Sequence, residues 1–353
     1  MPCHATLAHL VEILGAVPLG VSALSTEASG ITTDTRSLKP GEVFVALRGE
    51  TFDGHEFLQT AAEKGAIAAI VDTSEPLHSP LPLLQVSNTL QAYQSIARWW
   101  RDQFTIPVIA VTGSAGKTTT KELIAAVLSV PNPHAPSSTP VVLKTQANHN
   151  NEIGVPKTLL GLGPEHDYAI IEMGMRGPGE IALLSQIARP DIGVITNVGT
   201  AHIGRLGSEE AIAQAKCELL ANLPPTGIAI LNHDNPLLLE TAATVWTGRT
   251  LTYGLEGGDI LGELIGTDRL RVGNLDLPLP LAGQHNALNY LAALTVAKTL
   301  GIDWSLFAAG VSVSLPGGRA QRYDLPNDVV ILDETYNAGL ESMLASLHLL
   351  AQT

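Results

Sequence analysis

Gly113-Ser114-Ala115-Gly116-Lys117-Thr118-Thr119 is the stretch whose residue types and spacing most clearly point to chemistry. A glycine turn followed by Lys-Thr at a helix start can cradle a phosphate chain. Backbone N–H groups and the helix dipole face the anion, the lysine reaches the β- and γ-phosphates, and the first threonine hydroxyl can ligate Mg²⁺. Val111 stands where the first glycine of the full G-x-x-x-x-G-K-[ST] pattern would be. The alternative is a chance turn with an exposed lysine. It is disfavoured because strand, turn, Lys-Thr and helix follow in the right order, so the stretch reads as an ATP site.

Other residues are weaker taken singly. Glu172 ends the apolar run Tyr168 to Ile171, and a carboxylate at the C-terminal end of a buried strand is where a second Mg²⁺ contact belongs. His202 follows the strand Ile192 to Ile195 and reads either as a satisfied loop histidine or as a ligand. Lys216 lies on a helix capped by Ser208 and reads as a solvated-face lysine. Asn148, Asn150 and Asn151 are costly to bury without partners, so they either make turns or hold a polar ligand. Arg36, Arg48, Asp53, Gly54 and His55 fall in strand-end loops and, alone, read as solvated loop residues.

The elements that must position these groups alternate between β and α. Helices are expected over Met1 to Leu14, Glu56 to Lys64, Leu90 to Phe104, from Lys117 to about Leu128, and over Leu288 to Leu300. Strands are expected at Val43 to Leu47, Ile67 to Val71, Val108 to Val111, Tyr168 to Ile171, Ile192 to Ile195, Gly227 to Leu231 and Val329 to Leu332, with a strand-and-turn-rich stretch from Leu251 to Leu281. Pro131 to Pro140, with four prolines and two serines, predicts an exposed loop. The pattern is that of an α/β fold with right-handed crossovers and a mostly parallel sheet. Three segments follow: 1–104, 105–314 around the phosphate loop, and 315–353.

Composition sets the outer bounds. The chain has 353 residues, 45% of them hydrophobic and 15% charged, which fits a folded multidomain protein. A formal net charge of −14 argues against nonspecific binding to nucleic acid or acidic membranes, yet leaves room for a local cationic site. Cys3 and Cys217 are too few for a disulfide framework, and no apolar run is long enough to span a bilayer. A cytoplasmic monomer with no nucleic-acid partner and no membrane insertion is expected.

The assembled motifs resemble those of the Mur ligase family, most closely its members that add D-alanyl-D-alanine. The stretches that carry the likeness run in order along nearly the whole chain. They are Thr33-Asp-Thr-Arg36, Phe52-Asp-Gly-His55, Gly113 to Glu122, Asn148-His-Asn-Asn151 with Ile153-Gly-Val-Pro156, and Glu172-Met-Gly174. Thr196-Asn-Val-Gly-Thr-Ala-His202, Ala215-Lys216, His285-Asn286, Arg319 and Asp333-Glu-Thr-Tyr-Asn337 complete the set. The resemblance implies a small α/β N-terminal domain, a central phosphate-loop domain and a Rossmann-like C-terminal domain. It also implies roles. Lys117, Lys216, His202 and Arg319 would be catalytic; Gly113 to Thr119, Asn286, Arg319 and Asp333 would bind ATP, with Asn286 reading adenine. Thr118, Glu172, His202 and Lys216 would hold Mg²⁺, Lys216 as a carbamylated lysine. The Thr35-Arg36 and Asp53-Gly54-His55 loops would take the UDP part of UDP-N-acetylmuramoyl-tripeptide, and Asn148, Asn150 and Asn151 its sugar-peptide part.

The implied reaction is amide formation through an acyl phosphate, with D-alanyl-D-alanine as the attacking amine, in peptidoglycan precursor synthesis. Two departures stand out. Gly339-Leu340 replaces the family's usual Asn-Pro, and the third segment holds only the first strand and helix of a full domain, so the sequence reads as a fragment. Three alternatives stay open: a related amide ligase with another acceptor, such as a folylpolyglutamate synthetase; a non-catalytic nucleotide-binding module; and a simple phosphate-loop kinase.

Overall fold

The computed structural model describes residues 3–72, 79–131, 139–327, 329–337 and 339–351. Most of the proline-rich stretch expected as a loop, 132–138, lies outside them. The chain forms two compact units, Met1–Thr105 with Glu152–His166, and Ile106–Asn151 with Asp167–Thr353. No helix among the described residues is long and apolar enough to cross a membrane.

The first unit carries a five-stranded sheet in the order Val17–Leu19, Leu83–Gln85, Ala68–Val71, Val43–Val45, Ile31–Thr32. It is parallel except where Val17–Leu19 runs against Leu83–Gln85. The helix expected from Met1 begins only at Leu7. Ala5–Thr6 instead pairs antiparallel with Glu27–Ala28, and the Thr6 hydroxyl caps the helix by accepting from His9 N. The expected later helix runs Thr89–Arg101. The Asn88 side chain caps it by accepting from Gln91 N at 2.9 Å, and Trp100 Nε1 donates to Leu162 O at 3.0 Å.

The second unit is built on a nine-stranded sheet. From one edge to the other its strands are Val142–Lys144, Tyr168–Glu172, Val108–Thr112, Ile192–Ile195, Ile228–Asn232, Arg249–Gly254, Ile260–Ile265, Arg269–Val272 and Leu275–Pro278. All neighbours are parallel through Ile260–Ile265, and the last two strands are antiparallel. The mostly parallel sheet is therefore as expected, with the stretch read only as strand-and-turn-rich forming its antiparallel edge. Val108–Thr112 is buried throughout, which is why its sequence is a continuous apolar run and not an alternating one. The Lys117–Leu128 helix packs beside Gln284–Thr299 over one face of the sheet, burying Leu123, Ile124, Val127, Leu291 and Leu294 with Ile109 and Val111. The latter helix starts at Gln284, four residues before the expected Leu288, so His285 and Asn286 belong to its first turn.

The residues after Pro316 form an antiparallel hairpin, Gln321–Leu325 with Val329–Asp333, and a helix, Leu340–Leu350. Both belong to the second unit.

Candidate active site

The turn after Val108–Thr112 needs its glycines. Gly113 holds φ 155°, and a Cβ there would lie 1.8 Å from Thr196 Oγ1. Gly116 holds φ 79°, and a Cβ there would come within 2.5 Å of Asn289 Oδ1. Thr196 cannot readily yield, since its hydroxyl donates to Ala115 O at 2.6 Å. Gly113→Ala is accordingly expected to cost roughly 1–3 kcal/mol in backbone strain plus a similar overpacking cost. Urea denaturation would show this as a lower midpoint, together with loss of nucleotide binding; a midpoint equal to the parent's would refute the clash.

Around the turn, Asn197 braces the loop. Ser114 N donates to Asn197 O at 3.1 Å and Ala115 N to Asn197 Oδ1 at 2.9 Å. Ser114 Oγ accepts from Gly199 N at 2.9 Å. The helix that follows has Gly116 as N-cap and no side-chain cap, which leaves the positive end of its dipole and its first N–H groups directed at the cleft. Lys117 Nζ folds back to donate to Gly113 O at 2.8 Å. Burial lowers its pKa, the Glu172 carboxylate opposes that shift, and Arg319 adds to it.

Glu172 ends its strand 2% exposed. Its Oε1 accepts from Asn150 Nδ2 at 2.8 Å, while Oε2 is buried without any hydrogen bond. Lys216 is 1% exposed, which overturns the solvated-face reading of that helix position. Desolvation, and then the Lys117 charge, drive its pKa well below the ordinary lysine value. His202 is exposed at φ 71°, an uncommon conformation for a residue with a side chain. Burial lowers its pKa, followed by the charges of Lys216 and Lys117. Lys117, Lys216, His202 and Glu172 thus share one electrostatic neighbourhood.

Arg319 closes the site from the hairpin segment. Its guanidinium stacks on Tyr336, with Cζ 3.7 Å from the ring centroid, and its Nε is buried without a partner. Two clefts meet at Ala115, Gly116, Arg319, Glu334, Glu341 and Ser342. One, of about 230 Å³, adds Lys117, Thr118, Asn150 and Glu172. The other, of about 170 Å³, adds Asn197, Asn232, His285, Asn286 and Asn289. Asn286 is 3% exposed and donates to Ala282 O at 2.8 Å. Asp333 lines neither cleft; its Oδ1 accepts from Thr335 N and Oγ1, and the neighbouring Glu334 faces both clefts instead. Asn148 and Asn151 are exposed, so of the asparagine cluster only Asn150 lines these clefts.

In the first unit, Asp53, Gly54 and His55 form a tight network with Arg48. His55 Nδ1 donates to Asp53 Oδ1 while Nε2 accepts from Asp72 N at 3.2 Å. Arg48 pairs with both Asp53 and Asp72. A Cβ at Gly54 would lie 2.6 Å from Leu47 O. Arg36 remains 89% exposed, held by a forked contact with Asp34, whose pKa that contact lowers to about 2. Thr35, between them, is half-buried.

Sequence reasoning gave no site role to Asp72, Asn197, Asn232, Asn289, Glu334 or Glu341. Asn289 was the most findable, three residues after Asn286 and so on the same helical face. Glu341 lies 141 positions from Thr200, whose N–H and Oγ both donate to its carboxylate, and nothing local signals that contact.

A phosphate loop at a strand end, a buried carboxylate beside it and an opposed arginine define a nucleotide-binding α/β site. Residues 111–297 match the Mur ligase middle domain, and residues 27–126 the Mur ligase family catalytic domain. A UDP-N-acetylmuramoyl-tripeptide--D-alanyl-D-alanine ligase of Synechocystis sp. is 60% identical over 95% of this chain, which spans 72% of that protein. MurF from Acinetobacter baumannii superposes with a TM-score of 0.89 at 32% identity, covering 100% of this chain and 77% of that one. The MurF ligase from Thermotoga maritima, in complex with ADP, superposes with a TM-score of 0.79 at 31% identity, covering 91% and 74%. The chain belongs to the Mur ligase family, on its UDP-N-acetylmuramoyl-tripeptide--D-alanyl-D-alanine ligase (MurF) branch.

Proposed function

We propose that the chain catalyses ATP-dependent addition of D-alanyl-D-alanine to UDP-N-acetylmuramoyl-tripeptide in peptidoglycan precursor synthesis. The observation that carries this reading is the gathering of Lys117, Lys216 and Arg319 at an uncapped helix N-terminus in a chain of net charge −14. The repulsion between Lys117 and Arg319 and the orphaned Arg319 Nε are suited to a polyphosphate, whose oxygens relieve both costs.

In this reading the γ-phosphoryl group moves from ATP to the tripeptide's terminal carboxylate, and ADP leaves. The D-alanyl-D-alanine amine then attacks the acyl carbon, its proton is lost, and phosphate departs as the amide forms. Lys117 and the loop N–H groups hold the phosphates and stabilise charge on the transferring group. Arg319, fixed on Tyr336, clamps the nucleotide from the hairpin side, and Asn286 reads adenine.

Mg²⁺ would be held by Thr118, Glu172, His202 and Lys216. Glu172 Oε2, buried without a hydrogen bond, fits a cation, and Thr118 and Glu172, which line one cleft, fit Mg²⁺, which takes one or two carboxylates plus substrate phosphates. When bound it would neutralise charge on the phosphates. Burial favours the neutral Lys216 amine, the form able to add CO₂ as a carbamate. The Thr35-Arg36 and Asp53-Gly54-His55 loops take the UDP moiety, and Asn148, Asn150 and Asn151 the sugar-peptide part. Residues 1–104, 105–314 and 315–353 are read as the UDP-binding, ATP-binding and ligase segments, acting as a cytoplasmic monomer.

Phosphate release with ATP, Mg²⁺, UDP-N-acetylmuramoyl-tripeptide and D-alanyl-D-alanine, each omitted in turn, tests this. Release that requires all four is expected. Release that persists without D-alanyl-D-alanine, or with another amine in its place, would refute the acceptor.

A further inference from the structure

The second unit buries a cation that the reaction just described does not use. Lys121, one helical turn beyond Lys117, is 0% exposed. Its Nζ donates to Thr145 O at 2.7 Å and lies 3.2 Å from Glu122 Oε1 and 3.6 Å from Glu172 Oε2. Thr145 is tied to the same place, because Glu172 N donates to its hydroxyl at 2.9 Å. On the far side, Lys144 pairs with Glu122.

Replacing an ammonium buried with carboxylates by apolar side chains of similar volume is often neutral or stabilising, so packing alone does not account for Lys121. Its field does not account for it either. A cation at 3.6 Å from Glu172 would by itself repel a metal ion, and Glu122, closer still to Nζ, offsets that charge. What remains is orientation: Asn150 holds one carboxylate oxygen of Glu172 and Lys121 stands against the other.

We propose that Lys121 is a positioning residue that, with Asn150, fixes the Glu172 carboxylate in the orientation from which it takes the nucleotide's divalent cation. This rests on the reading of Glu172 as a ligand to that cation. Partners outside a metal's own ligands typically contribute 10–100-fold to metal affinity.

The test is calorimetric titration of ADP into the full chain in EDTA and again in Mg²⁺, taking the ratio of the two affinities. Lys121→Met is expected to shrink the Mg²⁺-dependent gain about tenfold or more and to leave affinity in EDTA unchanged, a split that a merely structural role would not produce. Glu172→Gln should lose the gain as well, and combining the two should add nothing. If Lys121→Met keeps the gain, or enlarges it, while Glu172→Gln loses it, the role of Lys121 is overturned and Glu172 stands. If Glu172→Gln keeps the gain, the reading of Glu172 fails and the proposal with it. Should Lys121→Met not fold, the pair Lys121→Met and Glu122→Gln strands no carboxylate at Glu122 and is read in the same way.

Discussion

Lys117→Ala is expected to reduce phosphate release by about a hundredfold or more while the protein stays folded. The lysine lies within its own loop, with Nζ on Gly113 O at 2.8 Å, and burial already disfavours its charge. Truncation therefore loses one hydrogen bond, about 1 kcal/mol, and removes a desolvated amine whose burial opposed folding. The two effects nearly cancel. Catalysis has no such compensation, because negative charge grows on the transferring phosphoryl group and a cation fixed beside it acts most strongly there. The loss should fall more on turnover than on ADP affinity. Lys117→Arg should not rescue it, since a planar guanidinium does not fit where a point charge folds into a tight loop. Activity within a few-fold of the parent for Lys117→Ala would remove this residue from the catalytic set.

Lys216→Met should produce the opposite signs in activity and stability. The folded-state pKa of Lys216 lies well below the ordinary lysine value of 10.5, so between the two values the unfolded chain binds a proton that the folded chain does not. Stability then rises with pH across that window, and at neutral pH the buried amine is a cost. Replacing a buried polar group by an apolar one of similar volume removes a desolvation cost of about 1–3 kcal/mol, and each kcal/mol raises Tm by ~1–1.5 °C in a chain of 353 residues. The variant should therefore melt higher than its parent at pH 7 in CO₂-free buffer, with the difference shrinking toward pH 10.5. Its phosphate release in CO₂-containing buffer should fall by about a hundredfold or more, as for loss of a charged group, here the proposed carbamate, at the transferring phosphate. A lower Tm at pH 7 would mean that Lys216 is charged and satisfied in the fold, and would sink the argument.

The phosphate loop was legible because its requirements are local. An all-buried strand writes a continuous apolar run, a turn that excludes Cβ at Gly113 and Gly116 writes glycine, and an anion-ready helix start writes Lys-Thr. The strand-end position of Glu172 was legible for the same reason. The first helix was misread because the helical spacing of Leu7, Leu10, Val11 and Leu14 extends back to His4, whereas pairing of Ala5–Thr6 with Glu27–Ala28 outweighs helical propensity there; that partner lies in another part of the sequence.

Sequence alone, then, determined the α/β alternation, the phosphate cradle and the carboxylate at a strand end, each encoded by contiguous residues whose backbone geometry permits few alternatives. Only the tertiary structure decided that Lys121 and Lys216 are buried, that Arg319 stacks on Tyr336, that Glu334 and not Asp333 lines the clefts, and that Glu341 holds Thr200. Burial and charge proximity depend on which distant segments the sheet and its crossovers bring together, and a lysine on a helix has the same local sequence whether it faces water or a carboxylate.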